Sequence, residues 1–132
     1  MARLSGEERF RAVSERAADG FLERLEPGRP PAWDFADTGS NVPRDSSAGA
    51  IAAGGLLDLN APERRAQGQA LLETLLETCA PAADDGEEGL LLHQTGDLPH
   101  GNAIDVSLIY GDHYFMETLY RLADPAASAA LV

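Results

Sequence analysis

Apolar positions recur along this chain with helical spacing in four places, and the four stretches alternate in character. The first runs from about Ser5 to Glu26. Phe10, Val13, Ala17, Phe21 and Leu25 recur at intervals of three and four, while Glu7, Arg11, Glu15, Arg16 and Glu23 occupy other faces. Ser5 with Glu8 three residues on reads as a capping box, and Pro27-Gly28 stops the pattern. The second stretch starts at Asp45-Ser46-Ser47 and ends near Asn60. Its body, Ala48 to Leu57, is apolar on every face, which predicts burial on every face. Gly49, Gly54 and Gly55 each cost about 1 kcal/mol in a helix interior, so close approach of neighbouring backbones is expected to offset them.

The third stretch begins at Pro62, a favoured first helical position, with Asn60 or Ala61 as its cap, and runs to about Ala80. Ala66, Ala70, Leu71, Leu75 and Leu76 form its stripe. The fourth runs from about Gly111-Asp112 to Ala123, with Tyr114, Phe115, Met116, Leu119 and Leu122 apolar and Glu117 four residues before Arg121. It reads as largely buried. Leu90 to His93 is short and apolar enough for a small strand. The segment 124–132 is an alanine-rich tail expected to fray. Wet, buried, wet, buried is thus the order of the helices. A tight turn joins the second to the third, and long connections, about Pro27 to Arg44 and Pro81 to Tyr110, lead into the two buried ones. Antiparallel neighbours then place both long loops on one rim. The fold class is all-α: part of an (α/α)6 toroid, about four helices as two antiparallel hairpins, over residues 1–123.

Composition narrows the chemistry. The chain has 132 residues, 44% hydrophobic, and a formal net charge of −12. All ten basic residues are arginine. That balance argues against nucleic acid, which needs clustered cations, and against anionic membranes. No apolar run reaches the ~20 residues of a membrane span. The N-terminus turns acidic at Glu7-Glu8 without the apolar core of a secretory signal, so a cytoplasmic protein is expected. A single cysteine, Cys79, excludes an internal disulfide and a cysteine metal cluster, and its helical spacing from Leu71, Leu72, Leu75 and Leu76 reads as a small buried hydrophobe. The acidic run Asp84 to Glu88 reads as a solvated loop.

Three blocks carry a family resemblance: Ala32-Trp33-Asp34-Phe35, then Pro43-Arg44-Asp45-Ser46-Ser47 onward to Leu59, then Leu108-Ile109-Tyr110-Gly111-Asp112-His113-Tyr114-Phe115-Met116-Glu117. In order and spacing they resemble the C-terminal portion of glycoside hydrolase family 88, the unsaturated glucuronyl hydrolases, from about Glu8 to Leu122. The related rhamnogalacturonyl hydrolases share the fold and stay open as an alternative. The resemblance implies a six-hairpin toroid of twelve helices and hydration of the C4–C5 double bond of an unsaturated uronic acid at the non-reducing end of an oligosaccharide. It implies no metal or organic cofactor. It implies two catalytic aspartates on earlier helices, and nothing in this chain matches them. The chain departs from the family at His113, where an aromatic is usual. Its loop His93 to Asn102 also lacks the Lys that meets a sulfate in some members, so a sulfated substrate is not expected.

Within this frame the expected sugar-binding residues are Tyr110, His100, His93 and Trp33. Tyr110 precedes the last helix at the mouth, where an aromatic face stacks on sugar C–H groups. His93 and His100 stand seven apart, which is no zinc spacing, and a third ligand is missing, so no metal site is expected. Asp45 and Asp112 head the two inner helices and are expected to cap them. Their shared rim also suits a paired acid and base, and that alternative stays open. His113, inside a helix, is expected in or near the core. Alone the chain is expected to be inactive, and to self-associate or to meet a partner chain carrying the missing helices. A non-enzymatic helical interaction module is the rival reading, and a complementing fragment is a third.

Overall fold

The computed structural model describes residues 6–59, 61–84 and 86–124. Four helices make up the architecture: α1 (Glu8–Leu22), α2 (Ser46–Asp58), α3 (Pro62–Cys79) and α4 (Ile109–Ala123), with one 3-10 turn at Leu98–His100. Among the described residues there is no strand. Three isolated antiparallel bridges pair Ala32 with Arg44, Gln94 with Val106 and Asp97 with Asn102. The apolar piece Leu90–His93 is therefore not a strand. It is an irregular segment whose amide groups bond to a side chain and to a helix end, as described below. The expected Ser5 cap and Asn60, together with most of the 124–132 tail, lie outside the described residues.

α2 is the centre of the packing and lies against both α3 and α4. The core is Ala50, Ala53 and Leu56 of α2, Leu71, Leu72, Leu75 and Cys79 of α3, Phe115 of α4 and Leu91 from the loop. Two glycines of α2 explain how close these helices come. A Cβ on Gly49 would sit 3.0 Å from a Leu75 methyl and 3.1 Å from Pro31, and one on Gly54 would sit 2.8 Å from Thr118 Oγ1. Gly55 differs: it is exposed, and no neighbour stands within 4 Å of its Cβ position. Gly68 performs the matching service on α3, its missing Cβ leaving room for Ala53 O at 3.0 Å. α1 buries no residue fully. It docks through Ala18, Phe21 and Leu22, joined by Leu25 just beyond its end. Arg64 of α3 adds ion pairs to Glu15 at 2.8 Å and Asp19 at 2.5 Å.

Several expectations are corrected here. α1 ends at Leu22, short of Glu26, and Val13 is half exposed. On α3 it is Leu72 that is buried, while Leu76 is exposed. α2 is not buried all round: Ile51 and Gly55 face outward. α4 begins two residues early, so Tyr110 lies within its first turn, and its face opposite the core carries exposed Ile109, Met116 and Tyr120. His113 is exposed and packs edge-on against Tyr114, ring centroids 5.3 Å apart. α2 and α4 each keep an apolar side that no described residue of this chain fully covers. No helix among the described residues is long and apolar enough to cross a membrane.

Candidate functional site at the helix rim

All four helices bring one end to the same rim. Arg44, just before α2, pairs with Glu26 beyond α1 at 2.8 Å. Leu92 N donates to Cys79 O at the end of α3, and Leu92 O accepts from Ser46 Oγ at the start of α2. At α4, a Cβ on Gly111 would lie 2.8 Å from Ser47 Cβ, so the first turns of the two inner helices touch. Only glycine fits there, because that same Cβ would also overlap the side chain of Gln94.

Asp45 caps α2 through its side chain, accepting from Ser47 N at 3.1 Å and from Ser47 Oγ at 2.5 Å. Asp112 does not cap its own helix, which corrects that expectation. Its carboxylate accepts from Leu90 N at 3.0 Å and Leu91 N at 3.1 Å, and more weakly from Gln94 Nε2 at 3.4 Å. Two backbone donors of the loop therefore find their acceptor on α4, and the loop is anchored to that helix's first turn. Asp112 thus uses both of its carboxylate oxygens on loop donors, whereas Asp45 uses Oδ1 for both of its bonds to Ser47.

From this anchor rises a small hairpin, residues 94–106. Its base is buried. Gln94 and Val106 exchange backbone hydrogen bonds of 2.9 and 3.0 Å, Gln94 Nε2 donates to Leu91 O at 2.9 Å, and Thr95 Oγ1 donates to Arg44 O at 2.8 Å. Ser107 Oγ donates to Leu91 O at 2.8 Å. The last of these contacts, with that of Thr95, ties the hairpin to both neighbouring segments. Trp33, half-buried, belongs to the other long loop, and its N–H donates to Pro43 O beside the Ala32–Arg44 bridge. Phe35 of the same loop packs edge-on against Phe21 of α1 at 5.4 Å.

The exposed groups crown this base. His93 Nδ1 lies 2.6 Å from Asp105 Oδ1. His100 Nδ1 lies 2.8 Å from Asp97 Oδ1. Tyr110 is exposed on its ring, and its hydroxyl comes within 3.5 Å of where a Gly96 Cβ would stand. His93, Ala103 and Asp105 have positive φ of 61°, 52° and 54°. A non-glycine residue there carries a penalty of about 1–2 kcal/mol, eased for Asp and His relative to Ala. The structure thus places His100 on the hairpin, His93 at its base and Tyr110 in the first turn of α4 beside it, with Trp33 on the other long loop. It adds Asp97 and Gln94, to which the sequence assigned no role, and gives Asp105 of the same loop a partner in His93. The signal for Gln94 and Thr95 was slight: two polar residues directly after an apolar run. Burial pushes the Cys79 thiol above its ordinary value, with its contact to the Thr78 hydroxyl opposing, so it is a core group and not a nucleophile. Among the described residues no three His, Cys, Asp or Glu side chains are grouped to hold a metal ion.

No family model matches the chain. It is 32% identical over 127 residues to an unsaturated glucuronyl hydrolase of Formosa agariphila, covering 90% of this chain and 32% of that protein. The crystal structure of the unsaturated glucuronyl hydrolase of Bacillus sp. GL1 superposes with a TM-score of 0.85 at 30% identity, covering 92% of this chain and 35% of that one. The chain is homologous to part of the unsaturated glucuronyl hydrolases. It spans about a third of the length of the relatives it matches, and its two hairpins form part of an α/α toroid of their kind. A variant of the Streptococcus agalactiae unsaturated glucuronyl hydrolase, solved in complex with dGlcA-GalNAc6S, superposes at TM-score 0.83 and 26% identity.

Proposed function

We propose that residues 1–123 supply the C-terminal portion of a glycoside hydrolase family 88 toroid and one wall of its carbohydrate mouth. The reaction is hydration of the C4–C5 double bond of an unsaturated uronic acid at the non-reducing end of an oligosaccharide. Tyr110, His93, His100 and Trp33 contact the saccharide. The two aspartates that handle protons come from the part of the relatives' length that this chain does not span, so the chain alone is inactive. The observation that carries the reading is the rim itself: the first turns of α2 and α4 touch, and a pinned hairpin presents aromatic and imidazole groups beside them. Aromatic faces with a few polar groups on a rigid base are the usual material of a sugar site.

The hairpin carries Asp97 and Asp105 and no lysine, which favours an unsulfated neighbour sugar. The test is an absorbance assay on an unsaturated uronosyl disaccharide. Chain alone should give no decay of the double-bond absorbance. Chain mixed with the N-terminal two thirds of the Formosa agariphila relative should restore it. No decay in the mixture, together with no saccharide binding by the chain, overturns the reading.

The exposed stripe of Ile109, Met116 and Tyr120 supports a second reading, a helical interaction module without chemistry. In that case the stripe captures its partner helices with equal strength whether or not His93 and Tyr110 are replaced.

A further inference from the structure

The two open edges of the inner layer differ. α4 turns Ile109, His113, Met116 and Tyr120, spaced three and four apart, to the side away from α2, and all four are exposed. α2 meets α4 through Ser47, Ala50 and Gly54. It turns Ala48, Ala52 and Gly55 elsewhere; the alanines are half-buried and the glycine is exposed. Gly49, Gly54 and Gly111 each make room for a close neighbour, whereas no atom stands within 4 Å of a Cβ on Gly55. A glycine inside a helix costs about 1 kcal/mol against alanine, and no described residue accounts for that cost at Gly55. Inside the chain, Thr118 of α4 seats in the gap left by Gly54 of α2. The open edges repeat this fit unfilled, with bulk on α4 and a small-residue hollow on α2.

We propose that the α4 flank of one copy docks head to tail on the α2 flank of a second copy, and that three copies close a ring. The solved relatives are six-hairpin toroids, and the two hairpins of this chain superpose on one of them at TM-score 0.85. Each copy then turns through about a third of the circle, and a head-to-tail interface whose rotation closes gives a ring. In the register of the pair inside the chain, where Thr118 meets Gly54, Met116 falls over Ala52 of the next copy and Tyr120 beside its Gly55. With roughly 200 Å² per large side chain, the exposures of Ile109, Met116 and Tyr120 leave about 400 Å² on the α4 flank. That is half of the ~800 Å² per partner that a stable pairwise interface covers. A dimer is therefore thin, whereas in a closed ring each copy uses both flanks and reaches the needed area. Charge opposes assembly, at −12 per copy, and salt screens it.

Ring closure goes beyond the carbohydrate reading, and the two stand or fall separately. Sedimentation equilibrium of the full chain gives its mass at low and at physiological salt. Wild type should reach the mass of three chains, more readily as salt rises. Gly55→Leu adds a side chain where space is open within one copy. Its thermal midpoint in dilute solution should therefore not fall, while assembly weakens by about ten-fold or more. Met116→Glu, on the opposite flank, should weaken assembly as well. A wild-type mass that stays at one chain or stops at two overturns the ring. A trimer that survives either substitution is held by other surfaces and overturns it too. A Gly55→Leu chain that melts well below wild type shows the α2 flank to be covered inside one copy, which leaves the ring no docking edge. In each of these cases, binding of an unsaturated uronosyl disaccharide by the chain keeps the carbohydrate reading intact.

Discussion

The rim and the flank of this molecule are built from the same two helices and end in opposite conditions. At the rim, the first turns of α2 and α4 have their polar groups answered within the chain: Asp45 takes Ser47, Asp112 takes Leu90 and Leu91, and Ser46 bonds to Leu92 and His93. Along the flank, the same helices carry half-exposed Ile51, Met116 and Tyr120 and the nearly bare Ile109, 88% exposed. Polar satisfaction at the rim is mostly local to these two hairpins, with Gln94 Oε1 left as a buried acceptor without a partner among the described residues. Apolar coverage along the flank is not completed by the described residues of this chain; under the proposed reading it would fall to further helices of a ring. A rim can thus be firmly built while the flank of the same two helices stays open.

The contrast breaks most severely from beneath. Leu75 is fully buried and fills the space left by Gly49 beside Pro31, so it supports both the core and the approach of the Trp33 loop. Leu75→Ala should lower stability by about 2–5 kcal/mol, read as a fall in the urea midpoint with an unchanged slope. A loss under 1 kcal/mol would mean that the α2–α3 contact is not the foundation of the rim.

Next in size is the rim's own anchor. Asp112→Ala strands the N–H groups of Leu90 and Leu91 and one amide donor of Gln94. Left without acceptors, such groups cost about 1–3 kcal/mol. Hydrogen exchange should quicken at Leu91 and across 94–106 while the middles of α2 and α3 stay protected. Asp112→Asn, which keeps one acceptor oxygen, should recover part of the loss. Uniform loss of protection through all four helices would show that the hairpin is not a separately anchored unit.

The flank is expected to respond in the opposite way. Met116→Glu places a charge on the exposed stripe and should change stability by no more than about 0.5 kcal/mol. It should, however, sharply reduce self-association in sedimentation and weaken capture of the complementary N-terminal piece. A variant that melts well below wild type would mean that Met116 is packed in the folded chain and that the flank is already covered.

How much of this was legible in the sequence follows from the range of each interaction. Helices written in local periodicity were readable, and so was Pro62 as the first residue of α3. The Glu117–Arg121 pair, 2.7 Å apart, was readable as well because its partners are four residues apart. Leu72 against Leu76 was not, since a run of leucines is apolar on adjacent faces and only the position of α2 decides which is covered. The rim carboxylates show the same division. Asp45 finds Ser47 two residues on, whereas Asp112 finds donors 21 and 22 residues back, a pairing that no spacing rule contains. The His93–Asp105 pair likewise exists only once the Gln94–Val106 bridge folds the loop back.

The smallest expected effect concerns the seam between rim and outer layer. Glu26 accepts from Arg29 at 3.0 Å and from Arg44 at 2.8 Å. These two arginines, Arg29 first, hold its carboxyl below the ordinary 4.5. A carboxylate whose folded value is depressed contributes stability above its unfolded value and loses it as the pH falls through the folded one. The contribution of Glu26 should therefore be full at neutral pH, and should fade as acid takes the solution below 4.5. Because the group is exposed, the contribution is small and shrinks with salt. Glu26→Gln should melt slightly earlier than wild type at pH 7 in low salt, and the gap should close in high salt or in acid. A gap that persists unchanged in acid would mean that Glu26 acts there by packing, and that charge does not join the Arg44 segment to the end of α1.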